Sequence, residues 1–261
     1  MKKNALHLMT WPEIKKEFEK DKIIFIPLGS MEQHGKHSIN GDYLAATHIA
    51  EKVAEKSGNL YVPTLPFGNS SYFKAYPGTI SLREETVTQV LYDVLENFID
   101  HGQYKIAFLN GHAGNKSSIN NAVRSLREQH KDLEVYTFNL WQTLTPEQKK
   151  EVYPTESDPS GHGSEPLTSI MRYLYPEHVD VSKNTFEKEK ISEGGKEIVN
   201  LNQLNVDGIN VDGYMDMQDI SDDGIYANSF QPSKDIGKKV VEYIVANIIS
   251  ATNKLYGERK G

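Results

Sequence analysis

The chain has 261 residues, 38% of them apolar and 10% aromatic, with 29 Lys plus Arg against 36 Asp plus Glu, a formal net charge of −7, nine His and no Cys. A chain of this length buries roughly three quarters of the surface its unfolded form exposes, so a globular domain is expected and a fibrous or disordered chain is excluded. The acidic balance argues against nucleic acid as a partner, and the lack of Cys removes disulfide staples, thiolate nucleophiles and Cys-based zinc sites.

In chain order, apolar runs alternate with segments of helical period. Strands are expected at 23–28, 60–65, 104–109 and 133–138, and helices at 42–56, 83–99, 116–130 and 233–255. This alternation predicts an α/β fold of three layers, a mainly parallel central sheet with helices on both faces. Val87, Val90, Leu91, Val94, Leu95 and Phe98 recur at helical spacing, and Ser81 with Glu84 reads as a capping box at the start of that helix. From about Asn184 to Phe230 the chain is polar, rich in Asp, Asn and Gly, and aperiodic, which fits either an excursion over the surface or an oligomer contact. No repeat, low-complexity tract or linker divides the chain, so residues 1–261 are read as a single domain. The most apolar stretch, 240–249, carries Glu242 and Asn247 and falls short of the roughly 18 residues of a membrane span. The first residues, broken by His7 and Pro12, lack the apolar stretch of a secretory signal. A cytoplasmic protein without a membrane partner is expected.

In open α/β sheets, ligands sit beyond the carboxyl ends of the strands, so the residues after each apolar run carry the functional information. The first run is followed by Gly29-Ser30-Met31-Glu32-Gln33-His34-Gly35-Lys36-His37 and then Asn40-Gly41-Asp42. The third is followed by Asn110-Gly111-His112-Ala113-Gly114-Asn115, and a further cluster reads Ser160-Gly161-His162-Gly163-Ser164-Glu165. Imidazole and carboxylate are ligands of Zn, Mn or Fe(II), and a carboxylate can bridge a pair of ions about 3.5–4 Å apart. Glu32 and His34, two residues apart, share one side of an extended segment and so face one metal site together. Asp42 reads as the bridge, and His112 reaches the same place between small neighbours.

Each residue alone has a plainer reading. Asp42 and Asn115 fit as helix N-caps, and Gly111 and Gly114 fit as turn glycines. Together they do not, because a structural loop has no need of Glu, His and Asp at three strand ends. His37 reads as a support for a ligand, whereas His7, His48, His101, His130 and His178 read as structural. Thr79, in the turn Tyr76-Pro77-Gly78-Thr79, offers a hydroxyl to the site, and Trp141 is either a pocket wall or core. A phosphate loop is ruled out because no Gly-Lys-Ser/Thr follows Gly29, and a serine elbow because no G-x-S-x-G surrounds Ser30.

These motifs resemble the creatininase (creatinine amidohydrolase) family. The resemblance lies in Pro27 to Gly35, Tyr76 to Ser81, Asn110 to Asn115, and Gly161 to Glu165 with Thr168-Ser169, and more weakly in Gly224-Ile225-Tyr226-Ala227-Asn228 and Lys234-Asp235-Ile236-Gly237. It implies a creatininase-like α/β fold, two divalent metal ions (Zn, Mn or Fe), hydrolysis of cyclic or linear amide bonds of a small molecule, and a homo-oligomer, commonly a hexamer. Carried over by position, Glu32 and His112 hold one ion, His34 and Glu165 the other, and Asp42 bridges them. His162 faces the substrate, together with Thr79, Ala113 and Gly114, and His162 or Glu165 passes the proton to the leaving nitrogen. Creatinine-cleaving members carry an aromatic residue and a Glu where this chain has Ala113 and Gly114, and Lys36 stands where Pro is common, so a substrate other than creatinine is expected. Two other readings compete: ring-opening hydrolysis of a cyclic ketone on the same metals, and a non-catalytic, metal-dependent binding or assembly protein. A Cys-free, carboxylate-rich ligand set leaves open positions for water, which favours catalysis.

Overall fold

A computed structural model describes residues 3–154, 161–183, 192–193, 196–200, 202–227 and 231–257. The elements are α1 (Trp11–Phe18), β1 (Ile24–Leu28), α2 (Asp42–Ser57), β2 (Leu60–Tyr61), α3 (Glu84–Asp100), β3 (Lys105–Asn110), α4 (Lys116–Gln129), β4 (Glu134–Asn139), α5 (Pro146–Val152), β5 (Gly161–His162), α6 (Leu167–Leu174), β6 (Ser192–Glu193), β7 (Lys196–Asn200), β8 (Gln203–Val206), β9 (Ile209–Asp212), α7 (Met217–Ile220), β10 (Tyr226–Ala227) and α8 (Lys234–Leu255).

Strands β1 to β4 form an all-parallel sheet in the order β2-β1-β3-β4. Alternate strand residues feed two cores. Ile24, Ile26, Leu28, Ile106 and Phe108 pack with Val87, Leu91 and Leu95 of α3 and Ile119, Ala122 and Leu126 of α4. On the opposite face Phe25, Ala107 and Leu109 meet α2, α6 and α8 through Ile49, Val53, Ile170, Val240, Ile244 and Ile248. Both faces of β1 and β3 are therefore covered, which is why these strands are apolar throughout instead of alternating. The three-layer α/β architecture read from the sequence is the one observed.

Two local expectations are corrected. The second strand is shorter than 60–65, because Pro63 and Pro66 cannot donate to a ladder; past Tyr61 it continues only as separate bonds, from Val62 N–H to Phe25 O and from Leu65 N–H to Pro27 O. The capping box of Ser81 with Glu84 does not form. Arg83 is the N-cap, and Ser81 Oγ accepts the N–H of Ser70 at 2.9 Å instead.

The illegible region 184–230 contains a second sheet, antiparallel in the order β6-β7-β8-β9, with residues 184–191, 194–195, 201 and 228–230 outside the described ones. Its Ile198 and Leu204 pack with Phe73, Met215, Met217 and Ile220. β9 is exposed along its whole length, its apolar Ile209 and Val211 included. Among the described residues no helix is long and apolar enough to cross a membrane.

The chain leaves β1 toward β2 on one side and returns to β3 on the other. A crevice therefore opens between the carboxyl ends of β1 and β3, where this topology gathers ligands.

Candidate metal centre

Glu32 and His34 follow β1, Asp42 opens α2, and His112 follows β3; all four are buried. His162 arrives on β5, paired with Tyr226 of β10 in a two-stranded antiparallel ribbon. Gly161 is required there, since its φ of 142° and a Cβ 2.3 Å from Tyr226 O exclude any side chain.

The side chains gather into two groups, Glu32–Asp42–His112 and Glu32–His34–His162, with the donor atoms of each group within 4.8 Å of one another. Glu32 is the residue common to both. His112 Nδ1 lies 3.2 Å from Glu32 Oε1 and 3.3 Å from Asp42 Oδ2. His34 Nε2 and His162 Nδ1 lie 3.7 and 3.9 Å from the same Glu32 oxygen.

The remaining ring nitrogens explain this orientation. A backbone carbonyl only accepts, so the nitrogen facing it carries the hydrogen. His34 Nδ1 donates to Glu32 O at 3.0 Å, His112 Nε2 to Asn69 O at 2.7 Å, and His162 Nε2 to Gln33 O at 2.8 Å. Each imidazole thereby spends one nitrogen on the backbone and turns the other toward Glu32 Oε1, as metal-binding histidines do. The second Glu32 oxygen is occupied by a hydroxyl chain: Ser30 Oγ lies 2.6 Å from Ser70 Oγ, which donates to Glu32 Oε2 at 2.5 Å. Asp42 Oδ1 accepts the Ser30 N–H at 2.6 Å, while buried Asp42 Oδ2 has no hydrogen-bond partner. Asp42 does not cap its helix; Gly41 is the N-cap.

Electrostatics point the same way. Burial works to raise the Glu32 pKa, but His112, His162 and His34 outweigh it and hold the carboxyl down at about 2. Burial, with the Glu32 charge, raises Asp42. His112 is raised well above the ordinary imidazole value: burial opposes this, and the Glu32 and Asp42 carboxylates prevail. Its proton thus stands where a cation would neutralise the two carboxylates. Burial lowers His34 to about 4 and also lowers His162, so both present neutral lone pairs. The unpartnered Asp42 oxygen, the three oriented imidazoles and the shared carboxylate fit divalent cations.

The other candidates lie around this centre. Glu165 belongs to neither group; its oxygens accept from Tyr153 Oη at 3.1 Å and Ser169 Oγ at 2.7 Å. Thr79 Oγ1 accepts the Gln33 N–H at 3.2 Å and so braces the Glu32–His34 segment. Ala113 is exposed beside His112. Gly114 packs so closely that a Cβ would fall 2.1 Å from Asn69 O and 2.5 Å from His112 Nε2. His37, lowered to about 4 by burial, bonds Thr168 Oγ1 at 3.3 Å. Trp141 packs against the core and donates from Nε1 to Gly111 O at 2.6 Å, fixing the loop that carries His112. Asn115 is the N-cap of α4, but its side chain makes no capping bond and braces the loops instead, donating to Gly29 O and accepting from Asn69 N–H.

Sequence reasoning missed Asn69 and Ser70, which follow the second strand and were open to the same rule of reading strand ends. It also missed Gln33 as an anchor, and Phe73, which stacks on His162 with ring centroids 4.0 Å apart.

The model of the Creatininase family, described as creatinine amidohydrolase, matches residues 7–252. The chain is 32% identical over 190 residues to the creatinine amidohydrolase of Pseudomonas putida, covering 67% of this chain and 73% of that one. It is 29% identical over 193 residues to the 3-dehydro-scyllo-inosose hydrolase of Thermotoga maritima, covering 71% and 61%. A solved creatininase described with Mn superposes with a TM-score of 0.82 at 24% identity over 98% of this chain and 100% of that one, and a mutant of Zn-Zn type with 0.81 at 24% over 99% and 100%. With the same fold and a family match that runs through every motif around the centre, the chain belongs to the creatininase family.

Proposed function

We propose that this protein is a metal-dependent amidohydrolase that cleaves a carbon–nitrogen bond of a small molecule, a cyclic amide, linear amide or formamide, and that creatinine is not its substrate. The observation that carries this reading is the set of three imidazoles turned toward one carboxylate oxygen, each held by a backbone carbonyl, beside an unpartnered Asp42 oxygen. Glu32, Asp42 and His112 would hold one divalent cation, and His34 would belong to a second. When bound, such ions lower the pKa of water toward about 7 and polarise a carbonyl. Around them, burial excludes bulk water and strengthens every charge interaction. Ser70 keeps the second Glu32 oxygen occupied and so leaves the first to face the site. Glu165, with His162 as the alternative, would carry the proton to the leaving nitrogen, a contribution of about 10² to 10⁴ in rate. Thr79, Ala113 and Gly114 would border the substrate. The tight contact at Gly114 supports a substrate other than creatinine, because no carboxylate side chain fits there.

The Thermotoga maritima relative favours a second reading on the same ions, ring-opening hydrolysis of a cyclic ketone. A screen of metal-loaded protein against cyclic amides, formamides and cyclic ketones separates the two. Loss of all turnover in Glu32→Ala and His112→Ala is expected; full activity in either variant or in metal-free protein refutes both. A homo-oligomer belongs to this reading, and light scattering tests it.

A further inference from the structure

We propose that the outer edge of β4 is a docking site for an extended acidic segment of another protein, which joins the parallel sheet as a further strand and sets its carboxylates against Lys116, Arg124 and Arg127. No step of the proposed hydrolysis uses these residues.

The first support is the edge itself. The sheet ends on β2 at one side and on β4 at the other. β2 is two residues long, is followed by Pro63 and Pro66, and is covered by the N-terminal segment, where Tyr61 N–H donates to Asn4 O at 3.0 Å. Shortness, proline and cover are the usual defences of an edge strand. β4 has none of them: it is six residues long, stays in register with β3 without a bulge, and contains no Lys or Pro. Its Glu134 N–H donates toward β3, to Tyr104 O at 2.8 Å. Inward and outward groups alternate along a strand, so the N–H and C=O of Val135, Thr137 and Asn139 point outward. Among the described residues no strand pairs with them.

The second is charge. A groove of about 620 Å³ runs between this edge and α4, lined by Val135, Thr137 and Asn139 on one side and by Lys116, Arg124 and Arg127 on the other. The three cations are exposed and share one face of α4. Arg124 donates from Nε to Asn120 Oδ1 at 3.0 Å, but among the described residues none of the three has a carboxylate partner. A second groove, on the opposite face of the edge, carries Lys254. Among the described residues no Asp or Glu lines either groove, in a chain whose net charge is −7. A cationic strip on an acidic protein selects a negatively charged partner.

The third is fit. A small anion would answer the cations and leave the outward backbone groups of β4 to water. An extended peptide answers both, its main chain pairing with Val135, Thr137 and Asn139 while alternate side chains reach the α4 stripe. A second copy joined through its own β4 is disfavoured. The twofold axis of such an antiparallel pair keeps each face of the sheet on its own side, so Arg124 and Arg127 would meet their own copies.

The probe is a fluorescein-labelled, end-blocked peptide of about eight residues, long enough to cover β4, that alternates Glu with Val. One counterpart alternates Lys with Val, and another is the Glu-Val peptide methylated on every amide nitrogen. In fluorescence anisotropy with full-length protein, the Glu-Val peptide should bind at least about tenfold more tightly than either counterpart, and at least about tenfold more weakly to Arg124→Glu/Arg127→Glu. That variant should keep the wild-type Tm and bound Zn²⁺. Hydrogen exchange of the wild type should slow by about tenfold or more at Val135, Thr137 and Asn139 once the peptide saturates it, a readout that needs no variant. Equal binding of the methylated peptide, or equal displacement by inorganic phosphate, would mean an anion site only and overturns strand addition. Equal binding of the Lys-Val peptide, no binding at about 1 mM, or unchanged exchange at the three amides overturns the docking site. So does a wild-type oligomer that Thr137→Pro dissociates, because a second copy would then cover the edge.

Discussion

Replacing Gly114 by Ala tests how strictly the loop after β3 is built around His112. The new Cβ would fall 2.1 Å from Asn69 O and 2.5 Å from His112 Nε2. Non-bonded carbons normally sit about 3.5–4.0 Å from their neighbours, so the overlap exceeds roughly 1 Å. Neither neighbour is the free end of a flexible chain: Asn69 O is backbone, and it accepts the His112 Nε2–H at 2.7 Å. Relieving the clash therefore pulls on both ends of one hydrogen bond. Overpacking of this kind costs about 1–3 kcal/mol, which at about 2–4 °C per kcal/mol lowers Tm by roughly 5 °C. Disturbing the group that orients a metal-binding imidazole weakens metal affinity about 10–100-fold. Differential scanning fluorimetry of the metal-free protein and calorimetric titration with Zn²⁺ read the two effects separately. Gly58→Ala is the control: Gly58 has a left-handed φ, of 77°, and nothing lies within 4 Å of the added Cβ. It should lower Tm and leave metal affinity intact. Unchanged Tm and affinity in Gly114→Ala would refute the reasoning.

Asp42→Asn keeps an acceptor for the Ser30 N–H and removes a buried charge beside Glu32. It should weaken metal binding at least about 100-fold without lowering the Tm of the metal-free protein; wild-type affinity in this variant counts against the centre. His112 keeps its proton well above the ordinary imidazole range, because Glu32 and Asp42 outweigh its burial, so a cation entering this site must displace that proton. Calorimetry at pH 7 in buffers of different ionisation heat should detect about one proton released with the ion, and none released would contradict it. Burial holds His34 and His37 at about 4, below their unfolded value, so their contribution to stability is complete above about pH 6.5 and is lost as pH falls toward 4. Glu32, held at about 2, acts in the same direction at still lower pH, whereas His112 contributes below its unfolded value and loses that contribution only as pH rises through its raised one. The Tm of metal-free protein should therefore drop between pH 6.5 and 4, less steeply in His37→Asn, and equal slopes for the two proteins would be inconsistent with this account. Trp141→Phe removes the bond to Gly111 O and should cost about 1 kcal/mol with a measurable loss of metal affinity; unaltered affinity would show that Trp141 acts only as core.

The layered fold was legible because its signals are local. Val87, Leu91 and Leu95 repeat at the period of one helix face, and the unbroken apolar runs of β1 and β3 announce strands covered on both sides. The clusters around Glu32, His112 and His162 were visible for the same reason, since each is a short run at a strand end. Local period did not reveal the antiparallel sheet of 192–212, because its strands are only two to five residues long and the alternating Ile209 and Val211 of its outer strand stay exposed among polar neighbours.

The wiring between the clusters was invisible along the chain. Ser70 reaches Glu32 across 38 residues, Asn69 reaches His112 across 43, and Gln33 holds His162 across 129. Residue type and spacing stated which groups were able to bind a metal. Only chain packing decided which ring nitrogen faces inward, which carboxylate is shared, and that Glu165 is held by Tyr153 and Ser169, because a hydrogen bond depends on where two atoms meet in space and not on their separation in sequence.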